Sequence, residues 1–206
     1  VLMLAGAGTG KTKALTTRIA HLLNMGKARP NEILSVTFTN KAAKEMRERL
    51  ERLVGSRSDA MTVGTFHSFC AKLLRWDGQV LGLESNYSIY DADDQLKILK
   101  ESMELADVDP KKFAPRAVLG TISKAKNMLW DSQAFAKNVD LDNYFEETCS
   151  RVYKHYEEAL TRNNSLDFDD LLMKSVQLLS EFPEVRKKYQ NRYQYIMVDE
   201  FQDTNI

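Results

Sequence analysis

The run Ala5-Gly6-Ala7-Gly8-Thr9-Gly10-Lys11-Thr12 constrains this chain more than any other. It follows an apolar stretch, Val1 to Ala5, and precedes a pattern in which Leu15, Ile19, Leu22 and Leu23 recur at helical spacing as far as Gly26. A short apolar run before a glycine-rich turn reads as a buried parallel strand, so the order is strand, tight loop, helix. Gly6, Gly8 and Gly10 let the backbone turn its N–H groups inward, and the helix that starts there aims its positive end at the same place. That is a cradle for phosphate. Lys11 would neutralise charge on the β- and γ-phosphates, and the Thr12 hydroxyl would ligate Mg²⁺. Alanine stands at position 5 where the strict pattern has glycine. The competing reading, an idle glycine-rich turn, leaves the strand, the helix, Lys11 and Thr12 unexplained together.

The same unit recurs downstream. Ile33 to Phe38 is a second β-branched run, followed by a helical stripe of Ala42, Ala43, Met46, Leu50 and Leu53 that Gly55 stops. Met61 to Gly64, then Phe66, Phe69, Cys70, Leu73 and Leu74, make a third, shorter copy. Repeated βα units predict a parallel α/β sheet with helices on both faces. From Asp91 to about Asn164 β-branched runs vanish and apolar residues follow helical spacing alone: Leu96, Leu99 and Met103; then Val118, Ile122, Ala125 and Leu129; then Phe145, Cys149, Val152, Tyr156 and Leu160. Asp91 is placed to cap the first of these helices. An all-helical inserted subdomain over 91–164 therefore divides an α/β domain made of 1–90 and 165–206. A further helical pattern, Phe168, Leu171, Leu172, Val176 and Leu179, leads to the apolar strand Tyr195 to Val198.

That strand ends in Asp199-Glu200, at the carboxyl end where open α/β sheets collect their ligands. Asp199 would hold Mg²⁺ through water, and Glu200 would orient and deprotonate an attacking water. Two solvated acids at a strand end are the alternative, weakened by the phosphate loop in the same chain. The net charge of zero hides a division: residues 1 to 75 carry 13 Lys and Arg against 5 Asp and Glu, and the remainder is acidic by the same margin. A basic first third suits a polyanion, although solvated helix faces give the same count. No apolar run approaches the ~20 residues of a membrane span, and the amino end lacks a secretory pattern, so a cytoplasmic protein without membrane contact is expected. Cys70 and Cys149 fall at apolar helical positions, as reduced core thiols do.

Four segments in order carry a family resemblance: the phosphate loop, then Val36-Thr37-Phe38-Thr39-Asn40-Lys41-Ala42-Ala43, then Val63-Gly64-Thr65-Phe66-His67-Ser68, then Val198-Asp199-Glu200-Phe201-Gln202-Asp203-Thr204-Asn205. Together they resemble the UvrD/PcrA/Rep group of superfamily 1 DNA helicases, and Ile122 to Asn127 and Leu166 to Leu171 fit the same group. The resemblance implies a RecA-like P-loop domain interrupted by a helical subdomain, with ATP and Mg²⁺ as cofactors. It implies an ATP-dependent 3′-to-5′ helicase of the repair or replication type, partnered by single-stranded DNA and single-strand/double-strand junctions. The loop positions Gly6, Ala7, Gly8, Thr9, Gly10, Lys11, Thr12 and Lys13 would hold the nucleotide, with Lys11, Glu200 and Gln202 catalytic and Thr12 and Asp199 on the metal.

Phe38, Thr39 and Asn40 would face single-stranded DNA, with Phe38 stacking on a base, a contact that ignores base identity. Thr65, Phe66 and His67 would touch the DNA backbone. A buried Phe38 and a structural His67 are the plain alternatives. Gln202 would sense the γ-phosphate, while Asp203 and Thr204 support its loop. Lys13 stands where relatives carry arginine, and an ammonium does not stack on adenine as a guanidinium does. The family's adenine-reading glutamine would lie upstream of Val1 and its γ-phosphate arginines, on a second RecA-like domain, beyond Ile206, so the chain is read as a fragment inactive alone as a helicase. A helicase-nuclease subunit of the RecB/AddA type shares these motifs. A P-loop ATPase without a DNA role, or a non-catalytic DNA-binding module, would each leave one half of them unused.

Overall fold

Ile33–Thr37 (β1) is buried at all five of its positions, as a strand covered on both faces must be. It pairs in parallel with Thr62–Thr65 (β2) on one side and Tyr195–Val198 (β5) on the other, giving the order β2-β1-β5. Val36 lies opposite Gly64 and opposite Val198, so the three carboxyl ends finish level. The computed structural model describes residues 10–140 and 142–203. The expected strand at 1–5 and loop positions Gly6, Ala7, Gly8 and Thr9 lie outside the described residues.

The chain forms two compact units, one of 1–72 with 179–206 and one of 73–178. In the first, Lys11–Asn24 (α1) and Asn40–Val54 (α2) bury Leu15, Ile19, Leu23, Met46 and Leu50 against Ile33 and Val63. Alternate β1 residues share that face, and the buried Ser35 hydroxyl donates to Met46 Sδ at 3.0 Å. α1 ends as expected: Gly26 has φ +63°, and the Gly26 and Lys27 N–H groups donate to the carbonyls of Leu23 and Leu22. One stripe position differs. Leu53 is exposed and Val54 is buried instead, because Val54 continues the turn defined by Met46 and Leu50.

The second unit is wider at both ends than 91–164. Its helices are the end of Phe66–Asp77 (α3), Ala92–Leu105 (α4), Pro115–Asn127 (α5), Ser132–Asn138 (α6), Tyr144–Arg162 (α7) and most of Phe168–Glu181 (α8). The extension follows from hydrogen bonding. Ser88–Ile89 (β3) and Ser165–Leu166 (β4) form a two-residue parallel pair that closes the loop around the insertion, with the Tyr90 N–H donating to the Leu166 carbonyl at 2.9 Å. Strands this short leave no periodicity to read. Leu129, expected on a helical stripe, lies past the end of α5 with φ +61° and is half exposed. Cys70 and Cys149 are buried and free, and burial pushes the Cys149 thiol up to about 11. Among the described residues no helix is long and apolar enough to cross a membrane.

Lys126 holds the helical unit together. Its Nζ lies 2.7 Å from Asp167 Oδ2 and 2.8 Å from Asp170 Oδ1, with all three side chains essentially inaccessible. Tyr156 Oη also donates to Asp167 Oδ2 at 3.0 Å. Asp167 and Asp170 cap α8 reciprocally, each accepting the other's backbone N–H. Burial disfavours the ammonium, but the two carboxylates outweigh it and hold the Lys126 pKa above its ordinary value. Burial, aided by neighbouring Asp167, pushes the Asp170 carboxyl up despite the pull of Lys126.

Lys126→Met should therefore cost about 3 to 5 kcal/mol, since it strands two carboxylates in a dry site. An acid whose folded pKa is raised contributes most when protonated, so the variant should regain stability as pH falls. Urea unfolding at about pH 5 and about pH 8 checks both the size and the sign, and a variant weakest at acid pH would refute the account.

Candidate functional site

Parallel pairing brings the chemistry-bearing ends together. Phe38, Thr39 and Asn40 leave the end of β1, Phe66 and His67 leave the end of β2, and Asp199 and Glu200 leave the end of β5, all on one edge of one sheet. The start of α1 arrives there too. Thr12 Oγ1 donates to Asp199 Oδ2 at 2.8 Å across 187 residues of sequence, and Lys11 Nζ lies 3.4 Å from Glu200 Oε2.

Asp199 is buried, and its N–H extends the sheet ladder by donating to the Val36 carbonyl at 3.0 Å. Its Oδ1 accepts the Glu200 N–H at 3.2 Å. The carboxylate therefore has little freedom. Glu200 has φ +55°, the left-handed region that a non-glycine residue enters only under constraint. That turn swings its side chain toward Lys11, where Gln202 Nε2 also donates to Glu200 Oε2. Hydrogen bonding from Gln202, with the bond and charge of Lys11, holds the Glu200 carboxyl below its ordinary value against some desolvation. The sequence expected these residues in one place but gave no sign of the left-handed turn that joins them.

Gly10 precedes α1 at φ +85°, and a Cβ there would meet only Lys13 Cβ at 3.9 Å. Backbone conformation rather than crowding calls for glycine. A hydroxyl and a carboxylate that already touch are hard oxygen donors of the kind Mg²⁺ takes alongside phosphate oxygens, so Thr12 and Asp199 fit that ion. An open groove runs from Gly10 along α1 past Lys13, Ala14, Thr17, Arg18 and His21. Thr17, Arg18 and His21 were not singled out from sequence. The i, i+4 spacing Lys13, Thr17, His21 on an exposed face was the available signal.

The rings of Phe38 and Phe66 meet at 5.1 Å between centroids with planes 51° apart. Phe38 is 37% exposed, so it is not a core side chain. Thr39 caps α2, accepting the Ala42 N–H at 3.1 Å, and Asn40 is exposed at the first turn. Thr65 is buried, and its Oγ1 accepts the Ser68 N–H at 3.2 Å while Ser68 Oγ accepts the Thr65 N–H at 2.9 Å. The Thr65 hydroxyl thus builds the turn that presents Phe66 and His67. His67 is half-buried beside it.

Gly64 makes that turn possible, because a Cβ on it would sit 2.5 Å from Ser68 Oγ. Gly64→Ala should eject the Ser68 hydroxyl and cost about 1 to 2 kcal/mol, the worth of a lost cap. In a cycle with Ser68→Ala the two losses should overlap; full additivity in urea unfolding would show that the crowding acts elsewhere.

Comparison with known proteins places the chain in a family. The family model described as "UvrD/REP helicase N-terminal domain" matches residues 1–206. The chain is 47% identical over 205 residues to the ATP-dependent DNA helicase PcrA of Bacillus subtilis (strain 168). It is 45% identical to the PcrA of Staphylococcus aureus (strain Mu50 / ATCC 700699) and 44% identical to that of Staphylococcus epidermidis, again over 205 residues. These alignments cover 100% of the chain and 28% of each relative's length. With the family match running over the whole of its length, the chain belongs to the UvrD/REP helicase N-terminal domain family.

Proposed function

We propose that this chain is the ATP-binding motor domain of an ATP-dependent helicase that moves 3′ to 5′ along single-stranded DNA in repair or replication. The observation that carries the reading is the sharing of one sheet edge by Lys11, Thr12, Asp199, Glu200 and Gln202 and by the Phe38–Phe66 ring pair. A nucleotide site and a base-stacking platform on the ends of adjoining strands are within reach of each other's small movements. The relatives' name, ATP-dependent DNA helicase, supports the same reading.

Lys11 neutralises phosphate charge, and loop residues Gly6 through Lys13 supply backbone N–H groups. Mg²⁺, held by Thr12 and Asp199, would supply positive charge at the phosphate oxygens. Glu200, kept ionised by Gln202 and Lys11, takes the proton of the attacking water. Gln202 touches the base and lies on the turn after β5, a suitable place from which to report phosphate to the DNA-facing loops. Phe38 and Phe66 stack bases without reading them, Thr39 and Asn40 flank them, and Thr65 holds Phe66 and His67 toward the backbone. The helical unit is read as an insertion into the RecA-like domain, whose catalytic arginines come from a second RecA-like domain. The work is done in the cytoplasm, at junctions of single- and double-stranded DNA.

Lys11→Ala should remove magnesium-dependent ATP binding by the 206-residue chain, measured with a fluorescent nucleotide, and unaltered binding would defeat the nucleotide assignment. Phe38→Ala should weaken oligonucleotide affinity by about 1 to 3 kcal/mol while leaving the unfolding midpoint nearly unchanged. The reverse pattern, lost stability with intact DNA affinity, would return Phe38 to a packing role.

A further inference from the structure

The helix that delivers the chain into β5, Pro183–Arg192 (α9), carries four basic residues against one acid, Glu184 in its first turn, within an acidic half of the chain. It buries only Val185 and Tyr189 and exposes Arg186, Lys187, Lys188, Gln190 and Arg192, followed by exposed Gln194. From 185 to 194 there is no acidic residue. The cations stand on a rigid base. Lys188 Nζ lies 5.4 Å from the centroid of the Tyr189 ring and the Arg192 guanidinium 5.3 Å from that of Tyr193. The two rings stack at 6.3 Å, and Tyr193 is fixed by the edge of Phe69 and by a 2.9 Å hydrogen bond between its hydroxyl and Thr62. Cation–π contact leaves the positive charge in place while limiting side-chain freedom, so less entropy is lost when an anion is met.

We infer that α9 contacts the phosphodiester backbone of duplex DNA. Lys, Arg, Asn and Gln are the side chains that position proteins on phosphates, and α9 offers them over about 15 Å of helix. Unpaired bases would require an exposed ring, and both tyrosines lie buried beneath the cations. The face is therefore suited to backbone and not to stacking, the opposite of the Phe38–Phe66 edge. It is also a separate place. α9 precedes β5, and so ends at the amino edge of the sheet, whereas Asp199, Glu200, Phe38 and Phe66 follow the carboxyl ends. The inference does not need the helicase reading, only a duplex within reach.

The test is binding of the 206-residue chain to a fluorescein-labelled mixed-sequence duplex of about two helical turns, followed by anisotropy across a KCl series. The variant Lys187→Gln/Lys188→Gln/Arg192→Gln leaves Arg186, which donates to the Leu179 carbonyl, untouched. It should lower the slope of log K against log salt by about 0.9 for each phosphate contact removed, roughly 2 to 3 in all, with magnesium-ATP binding unchanged. Unchanged duplex affinity and slope in the folded variant would overturn the inference. So would a wild-type chain that ignores duplex but binds poly-glutamate, which would assign the face to an acidic protein. If the triple variant does not fold, Lys187→Glu decides alone: Lys187 is exposed, and its reversal should weaken duplex binding about tenfold at low salt. Loss of nucleotide binding by the wild-type chain would defeat the motor reading and leave the duplex result standing.

Discussion

The parallel register of β1 with both neighbours is the constraint on which the candidate site depends. Because Val36 sits level with Gly64 and Val198, three segments far apart in sequence leave the sheet at the same height and on the same edge. An antiparallel arrangement would send one of the three to the other edge. A one-residue slip would exchange the two faces of β1 and take Ile33 and Ser35 off the side that packs against Met46. The consequence is chemical: Thr12 reaches Asp199, Lys11 reaches Glu200, and Phe38 reaches Phe66 without any long side-chain excursion.

Strain and capping finish what the sheet begins. Glu200 accepts a left-handed backbone, of a kind that costs of order 1 to 3 kcal/mol and persists only where surroundings over-determine it. Those surroundings are Asp199, locked by the Val36 carbonyl and Thr12, and the donors Lys11 and Gln202. At the end of β2 the exchange between Thr65 and Ser68 plays the same part without strain, because glycine at 64 clears the space. Threonine at 65 is thus spent on shape, and presentation falls to Phe66 and His67.

The helical unit follows a different logic. Its core is apolar, yet its most buried charge, Lys126, ties α5, α7 and the first turn of α8 to one point through Asp167, Asp170 and Tyr156. An apolar replacement of the whole group would cost less than removal of one member, so such a cluster specifies an arrangement more than it adds stability. The two sequence segments that carried family likeness without a role, Ile122 to Asn127 and Leu166 to Leu171, are the two halves of this joint.

Much of this was legible in advance, for local reasons. Periodicity placed β1, β2, β5, α1, α2, α4, α5 and α7, because a residue's face on a strand or helix depends only on spacing. Gly26 and Asp91 announced helix ends through conformation and capping that are equally local. Residue chemistry named Lys11, Thr12, Asp199 and Glu200. Short elements escaped: β3 and β4 have two residues each, and α9 has only Val185 and Tyr189 to mark its buried side. The sequence by itself determined the elements and the inventory of reactive groups. Tertiary structure alone decided that Thr12 bonds Asp199, that Glu200 turns left-handed toward Lys11, that Thr65 caps while Phe38 stays exposed, and that Lys126 is buried against two carboxylates. Each of these is a contact across many residues of chain, set by sheet register and packing, and spacing along a sequence carries no record of distance across a fold.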